Sequence, residues 1–433
     1  MNRYSVFFLL ILSAVSVFAT GMFRLDPVRT IEGDAAYPFV RAELLCDDHS
    51  GFSQEQYHPK NQVSHPGLLN LLSNSKSPHG KYFVLHYVSG WEKAGSRNPV
   101  LLIHGAGDTA YRGWMHPFAY EIDPGQEIKY PGLAVSLAKR GFQVFAVTFP
   151  HPHGDNFMQS EHVANAITRI RKALGRENDQ SFKIDLITHS KGGVAARMYL
   201  SDIRDEYSEY SWLTPFRGDV ERFFSVATPL KGIDAMYRYY GVNLSIVEMD
   251  MAAPCGADSI VYYGMNINCR SYHDCFTGQF QMLHNWVDDE QEPIPFSNLS
   301  ATAADFNYSR DKLYYGGTSV YLASSGIDQG IRKGRNLIAA LNEKGIDPSV
   351  RPVILAGNDN LIQDDFEDLV NCWPMGENEA SSDSLLFVRS ALYTQGLLSR
   401  GARPIAVKVI PYNHMNIIIH KDAQLLIIEL LNR

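Results

Sequence analysis

The sequence predicts an α/β protein with a mostly parallel central sheet, helices on both faces and a cap insertion. Apolar segments rich in β-branched residues alternate with segments of helical spacing up to about residue 233, and this alternation resumes at about residue 346. Strands that alternate with helices form parallel sheets covered on both sides. Residues 234–345 show no clear period. We therefore expect a core of residues 20–233 and 346–433, with the insertion above the carboxyl ends of the strands, where such sheets bind ligands.

Each predicted element follows from a local pattern. Strands are assigned to short runs of β-branched and aromatic residues bounded by turns, and helices to apolar residues spaced by three or four. The predicted strands are Lys81–Val88, Pro99–His104, Phe142–Phe149, Phe182–Thr188, Phe223–Thr228, Pro352–Ala356 and Ile405–Ile410. The predicted helices are Tyr130–Gly141, Ser160–Gly175, Gly192–Leu200, Arg335–Lys344, Ser382–Arg400 and Asp422–Leu431. Residues 20–80 give no readable pattern.

The amino terminus has the pattern of a secretory signal peptide. Arg3 precedes an apolar run from Val6 to Phe18, and the small residues Val17 and Ala19 precede a cleavage point by three and one positions. The run is shorter than the roughly 20 residues that span a membrane as a helix. We expect residues 1–19 to be removed and the protein to be secreted or periplasmic; an uncleaved anchor is the alternative.

Composition limits the partners and the redox chemistry. A net charge of −8 argues against a nucleic-acid-binding surface. Export permits disulfides, and three of the five cysteines lie within residues 255–275, so we expect at least one bridge there. Five is an odd number, which leaves one thiol unpaired or paired between chains. The same part of the chain carries Asn-x-Ser sequons at Asn243, Asn298 and Asn307.

A candidate nucleophile lies between a predicted strand and a predicted helix. The segment FKIDLIT leads directly into His189-Ser190-Lys191-Gly192-Gly193. Such a sharp strand-to-helix turn exposes the serine at its tip, and Gly192 avoids a collision with the strand. The usual motif is Gly-x-Ser-x-Gly, and Thr188 stands here in place of the first glycine. The context predicts Ser190 as the nucleophile rather than a chance turn.

Two backbone amides are candidates for an oxyanion hole. The strand PVLLIH is followed by Gly105-Ala106-Gly107, and glycines allow a close approach of backbone to substrate. We expect the N–H of Ala106 to be one donor. The N–H of Lys191, at the start of a helix, is the expected second donor. His104 is interpreted as a structural residue that fixes the loop.

An acid and a base are expected after later strands. A serine hydroxyl needs a base to take its proton, and in nucleophile-elbow proteins the order along the chain is serine, acid, histidine. Asp359, on the turn after PVILA, is the predicted acid. Alternative acids are Asp364, Asp365 and, less expected, Asp234.

The predicted base follows the last strand. His414 comes after IAVKVI and the residues Pro411-Tyr412-Asn413, and His420 is the competing histidine. In the resulting mechanism the serine attacks an ester carbonyl, and the histidine takes the serine proton and later passes it to the leaving alcohol.

These residues resemble those of α/β-hydrolase lipases, both the bacterial class 2 triacylglycerol lipases and the fungal lipase B group. The resemblance covers about residues 97–235 and 350–420 and rests on LLIHGAG, GFQVFAVTFP, HVANAITRI, THSKGG and SVATPLKG. It implies an α/β-hydrolase fold, a lipase or carboxylesterase activity and a triad of Ser190, Asp359 and His414. The Thr-x-Ser-x-Gly elbow is itself a feature of the lipase B group. Ala106 departs from that group, which has a hydroxyl-bearing residue there, and implies two backbone donors only.

Other constellations and functions stay open at this point. His151, His153 and Asp155 (in HPHGD) are expected to line the cleft rather than bind a metal, and we expect no cofactor. The expected partner is an ester or lipid substrate, with transient contact to a lipid interface. A thioesterase, an acyltransferase or a polyester depolymerase would use the same triad. A non-catalytic binding module is less expected because every triad candidate is present.

Overall fold

The computed structural model describes residues 26–33, 39–57, 61–93, 95–115, 131–238, 275–294, 314–318, 323–360, 377 and 379–433. The predicted signal peptide and most of the predicted cap lie outside these residues, so the predicted domain boundaries stay predictions. Within the described ranges, no helix is both long enough and apolar enough to cross a bilayer.

A nine-stranded sheet forms the centre of the described structure. Its strands are β1 (Arg29–Glu32), β2 (Arg41–Cys46), β3 (Tyr82–Tyr87), β4 (Val100–Ile103), β5 (Val144–Thr148), β6 (Ile184–His189), β7 (Val220–Val226), β10 (Arg351–Gly357) and β11 (Ala406–Ile410). Between them in sequence, β8 (Gly317–Thr318) and β9 (Ala323–Ser324) form a separate two-stranded hairpin.

The strand order across the large sheet is β1-β2-β3-β5-β4-β6-β7-β10-β11. Six neighbouring strands of the sheet pair in parallel, namely β5, β4, β6, β7, β10 and β11. The three strands β1, β2 and β3 pair antiparallel with their neighbours. This topology confirms the predicted mostly parallel sheet and is that of an α/β-hydrolase.

Helices cover both faces of the sheet. They are α1 (Pro66–Leu71), α2 (Leu133–Ala138), α3 (Asn156–Ala173), α4 (Lys191–Leu200), α5 (Ala235–Arg238), α6 (Thr277–Phe280), α7 (Ile327–Lys333), α8 (Leu337–Lys344), α9 (Val388–Ala391), α10 (Thr394–Leu397), α11 (Asn416–Ile419) and α12 (Lys421–Leu431). Helices α1, α2 and α12 pack in one apolar cluster, and α3 and α4 pack in the cluster on the opposite face.

Burial on both faces explains the uninterrupted apolar runs of the central strands. All four residues of β4 and all six of β6 are buried. A strand covered by helices on both sides has no solvent-facing positions, so its sequence does not alternate between apolar and polar residues. The two strands therefore present rigid carboxyl ends, and the loops that follow them begin from fixed positions.

The amino-terminal segment adds strands that the sequence did not predict. Strand β2 carries Glu43 into the interior, where Arg169 of α3 donates from Nε and Nη2 to its carboxylate at 2.6 and 2.7 Å. The hydroxyl of Tyr87 donates to the same carboxylate at 2.6 Å. A buried charge requires partners of this kind. The charged residue in β2 interrupts the apolar pattern, so sequence periodicity does not reveal this strand.

The predicted long helix Ser382–Arg400 is wrong. Residues 382–387 form a turn closed by a bridge between Ser382 and Phe387, and only the short helices α9 and α10 follow. Within the turn, one carboxylate oxygen of Asp383 accepts the N–H groups of Leu385 and Leu386 at 3.2 and 2.8 Å. Short polar side chains that bond to nearby backbone groups compete with helix formation.

The cysteine prediction is tested only in part. Cys46 and Cys275 lie within the described ranges, which contain no disulfide. The other three cysteines lie outside them, so the bridge expected within residues 255–275 stays a prediction. Burial raises the pKa of the Cys46 thiol to about 11.

Candidate active site

Ser190 lies at the tip of a strained turn between β6 and α4. Its backbone dihedrals are φ 52° and ψ −127°, a conformation that residues with a side chain rarely adopt. The N–H of Ser190 donates to the carbonyl of Val226 at 3.0 Å, which ties the turn to the end of β7. Strain of this kind persists only where the surrounding structure holds it, and it concentrates at functional sites.

Three glycines make this turn possible. A Cβ atom at Gly192 would lie 2.3 Å from the carbonyl oxygen of His104, and one at Gly193 would lie 1.9 Å from Oγ1 of Thr228. A Cβ atom at Gly105 would lie 3.0 Å from Cβ of Ser190. The loop after β4 and the elbow after β6 therefore approach more closely than side chains would allow, as the sequence predicted for Gly192.

The loop that follows β4 is fixed by His104. Its Nε2 accepts the N–H of Phe149 at 3.1 Å, so its Nδ1 carries the proton and donates to the carbonyl of Gly105 at 2.8 Å. Burial lowers the pKa of His104 to about 4, which keeps the ring neutral at physiological pH. These contacts confirm that His104 is structural and not a base.

A second anchor holds the same loop from its far end. The Arg112 guanidinium donates from Nη2 to the carbonyl of Gly107 at 2.8 Å and from Nε to the Asp108 carboxylate at 2.9 Å. Ala106 thus lies between two fixed residues, His104 and Gly107. Lys191, the other predicted oxyanion donor, is the first residue of α4, where backbone N–H groups have no partner within the helix.

The imidazole of His414 is paired with a carboxylate. Nδ1 of His414 lies 2.8 Å from Oδ2 of Asp383, and the N–H of His414 donates to the carbonyl of Asp383 at 2.7 Å. Nε2 of His189 lies 2.8 Å from the carbonyl oxygen of His414. Because His189 immediately precedes Ser190, the elbow and the loop after β11 are in direct contact.

The carboxylate that pairs with His414 is Asp383 and not the predicted acid, Asp359. Asp359 follows β10 as expected, but its backbone N–H donates to the carbonyl of Tyr412 at 3.3 Å and the His414 ring contacts Asp383 instead. The alternatives Asp364 and Asp365 lie outside the described residues. The sequence of the segment that carries Asp383, SSDSLLF, predicts the start of a helix, but its cluster of Ser and Asp is also the signal of a turn.

The other candidates have identifiable structural roles. Asp234 pairs with Arg238, whose Nη2 lies 2.8 Å from Oδ1. His420, the competing base, caps α12 by accepting the N–H of Asp422 at 3.3 Å. Neither of them contacts His414.

The residues of the HPHGD segment make separate structural contacts. Nε2 of His151 lies 2.7 Å from the carbonyl of Gln56, and Asp155 caps α3 by accepting the N–H of Phe157 at 2.8 Å. A Cβ atom at Gly107 would lie 3.7 Å from the ring of His153, so this histidine borders the loop. No group of three or more metal-binding side chains occurs in the part of the chain that the structure describes.

Lys191 sends its side chain away from the elbow into a buried polar cluster. Its Nζ donates to Oε1 of Gln159, and the residue is 1 % exposed. Burial lowers the pKa of Lys191 to about 7, against the opposite effect of the carboxylates of Glu55 and Asp155. The same residue thus supplies a backbone amide at the start of α4 and a buried amine whose pKa is close to 7.

A family model matches part of the chain. Residues 97–274 match the family model described as lipase (class 2). No curated protein sequence matches the chain.

Similar solved structures include the mature form of the lipase BlEst2 from Bacillus licheniformis, with 14 % identity and a TM-score of 0.38 over 78 % of this chain and 93 % of that chain. They also include a highly thermostable carboxyl esterase from Bacillus coagulans, with 11 % identity and a TM-score of 0.39 over 81 % and 94 %. A third is the naproxen esterase from Bacillus subtilis, with 13 % identity and a TM-score of 0.33 over 81 % and 88 %.

The predicted resemblance is therefore confirmed for the segment that carries the oxyanion loop, the elbow and the strands around them. With its elbow at the carboxyl edge of an α/β-hydrolase sheet and residues 97–274 matching the class 2 lipases, the chain is a carboxylic ester hydrolase.

Proposed function

We propose that the protein hydrolyses carboxylic esters through an acyl-enzyme, with Ser190 as nucleophile, His414 as general base and Asp383 as the acid that orients the base. One observation carries the proposal: the strained elbow touches the loop of a histidine that is itself hydrogen-bonded to a buried carboxylate. An activated serine requires a base close to it and a third group that orients the base.

The contacts of His414 define the direction of proton transfer. Because Nδ1 faces the Asp383 carboxylate at 2.8 Å, the proton of the neutral ring resides on Nδ1 and Nε2 is the proton acceptor. In acylation, Oγ of Ser190 attacks the ester carbonyl carbon while its proton moves to Nε2. The resulting imidazolium is stabilised by the Asp383 carboxylate, and it then protonates the alcohol oxygen as the ester C–O bond breaks.

Deacylation reverses these roles with water. A water molecule attacks the acyl carbon as its proton moves to Nε2 of His414. The imidazolium returns that proton to Oγ of Ser190 as the acyl–oxygen bond breaks and the carboxylic acid leaves. In both steps, the N–H groups of Ala106 and Lys191 donate to the oxyanion, an interaction worth about 3 kcal/mol for each donor in such enzymes.

The first test compares wild type and Ser190→Ala on p-nitrophenyl butyrate and p-nitrophenyl palmitate. We expect the substitution to lower kcat by roughly 10⁴-fold or more, because the residual rate then comes from binding and the oxyanion hole alone. The wild-type ratio between the two esters separates an esterase from a lipase. Full activity in Ser190→Ala, or a wild type that cleaves neither ester, would contradict the proposal.

The natural acyl donor and acceptor form a second question on the same triad. A thioester, a polyester film and an alcohol acceptor in the same assay distinguish a thioesterase, a depolymerase and an acyltransferase from an ester hydrolase. We propose the ester hydrolase because the matched family consists of lipases.

We further propose that the protein is exported. The support is the sequence of residues 1–19, with Arg3 before an apolar run and Ala19 at its end. Export predicts a mature protein that begins at Thr20, which amino-terminal sequencing of the protein from its native host would detect. A protein that still begins at Met1 outside the cytoplasm would indicate an anchor, and one confined to the cytoplasm would contradict export.

A further inference from the structure

Arg238, in the first helix after β7, is at the centre of a buried ion cluster. Its Nη1 donates to Oε1 of Glu377 at 3.0 Å, and its Nη2 donates to Oε2 of the same carboxylate. Its Nε lies 3.0 Å from both carboxylate oxygens of Asp234. The side chains of all three residues are only 1 % exposed.

Glu377 is in turn bound to the turn that carries Asp383. The N–H of Glu377 donates to the carbonyl of Ser384 at 2.8 Å, and Oγ of Ser382 donates to the carbonyl of Glu377 at 2.5 Å. The residues on either side of Asp383 are thus both fastened to Glu377.

Arg238 also contacts this turn directly. Its guanidinium lies 4.7 Å from the ring centroid of Phe387, the residue that bridges Ser382 and closes the turn. The same cluster extends to Tyr314, whose hydroxyl donates to Asp234 at 2.9 Å. Residues of the predicted insertion therefore meet Glu377, which follows the insertion in the chain, in one buried cluster at the turn.

The turn requires such an anchor because its backbone is strained. Ser384 has a φ of 85°, where residues with a side chain are disfavoured. A buried carboxylate that loses its cation is strongly unfavourable, so removing Arg238 would force Glu377 to move or to take up a proton. Either change would disturb the hydrogen bonds that fix Ser382 and Ser384, and hence the carboxylate between them.

We propose that Arg238, through Glu377, is a positioning residue that holds the Asp383 carboxylate against His414. This role rests on the proposed function of the triad. It connects the segment that enters the predicted cap with the alignment of the general base.

The test is a double-mutant cycle between Glu377→Gln and Asp383→Asn, assayed by kcat and KM on p-nitrophenyl butyrate. Glu377→Gln keeps the shape of the side chain and removes its charge. We expect kcat to fall about 10- to 100-fold in the wild-type background with KM changed less than about threefold, since a displacement of about 1 Å can cost that much. In the Asp383→Asn background the same substitution should change kcat less than about twofold, because the carboxylate that Glu377 positions is already absent.

A matched control separates positioning from stability. Glu43→Gln removes the carboxylate of another buried ion pair, with Arg169, in a strand away from the elbow. We expect it to lower the melting temperature while leaving kcat per folded molecule within about twofold. Folded protein is quantified by near-ultraviolet circular dichroism. If Glu377→Gln does not fold, Arg238→Lys, which keeps the positive charge and loses the planar fork, replaces it in the cycle with the same expected loss.

The outcomes distinguish the two proposals. The positioning role would be overturned if Glu377→Gln leaves kcat unchanged, or if it lowers kcat equally in the wild-type and Asp383→Asn backgrounds. If Asp383→Asn alone retains wild-type kcat, the triad assignment fails, and the positioning role fails with it. A fall confined to the background that contains Asp383 supports the role.

Discussion

The exchange of Asp383 for asparagine is predicted to abolish base catalysis without removing a single hydrogen bond from the turn. In the native turn Oδ1 of Asp383 accepts the N–H groups of Leu385 and Leu386, and Oδ2 faces His414. An asparagine must keep its oxygen on the two N–H groups, because an NH₂ group there would set donor against donor. Its NH₂ group therefore points at Nδ1 of His414.

This reversal changes the tautomer of the imidazole. An amide donor stabilises the ring with its lone pair on Nδ1 and its proton on Nε2, which is the atom that should accept the proton of Ser190. The imidazolium also loses its carboxylate partner. The comparable exchange in a serine-protease triad costs about 10⁴-fold in kcat. At 1.36 kcal/mol for each factor of ten, this corresponds to about 5 kcal/mol of transition-state stabilisation.

The assay is the kcat of Asp383→Asn and of Asp359→Asn on p-nitrophenyl butyrate, with folding checked by circular dichroism. We expect a loss of 10³- to 10⁴-fold in the first variant and a change of less than about threefold in the second. The pair also decides between the two aspartates that the sequence and the structure indicate. More than a tenth of wild-type activity in Asp383→Asn, or a thousandfold loss in Asp359→Asn, would refute the reasoning.

Three further perturbations test the surroundings of the elbow. Gly192→Ala introduces a methyl group 2.3 Å from the carbonyl oxygen of His104, so we expect a loss of about 2 kcal/mol or more of unfolding free energy in urea denaturation; unaltered stability would contradict this close approach. Arg112→Gln removes the anchor of Gly107 and should lower kcat about tenfold with little change in KM, whereas a rise in KM alone would indicate a binding role. Because the pKa of Lys191 is lowered to about 7 by burial while the unfolded chain retains a pKa near 10.4, the unfolded state binds more protons between these values. The unfolding free energy of wild type relative to Lys191→Met should therefore increase from pH 7 to pH 10, by at most about 1.4 kcal/mol per pH unit. Urea titrations at several pH values measure this difference, and a difference that does not change with pH would exclude the lowered pKa.

The sheet was predictable because its central strands are buried on both faces. Runs such as PVLLIH and FKIDLIT have no polar alternation, and the glycines that end them indicate where the chain must turn. Strands β1 and β2 gave no such signal. They extend the antiparallel side of the sheet, and β2 includes the charged Glu43, whose partner Arg169 lies more than a hundred residues away in the sequence.

The parts of the site that are built from neighbouring residues in the sequence were predictable. Ser190, its glycines and His104 are recognisable because the elbow and the loop after β4 each have a sequence pattern of their own. The carboxylate beside His414 has no such sequence pattern. Asp359 satisfies the expectation that an acid follows β10, but Asp383 reaches the imidazole because a turn later in the chain folds back onto the loop after β11.

The way in which Asp383 is held has a consequence for how the polypeptide could be divided. Its turn is attached to the rest of the protein by the backbone hydrogen bond from His414 to Asp383 and by the contacts of Glu377 with Arg238. Because these contacts join residues that are distant in the sequence, we expect two separately expressed fragments, divided between Gly357 and Glu377, to reassemble into one active hydrolase.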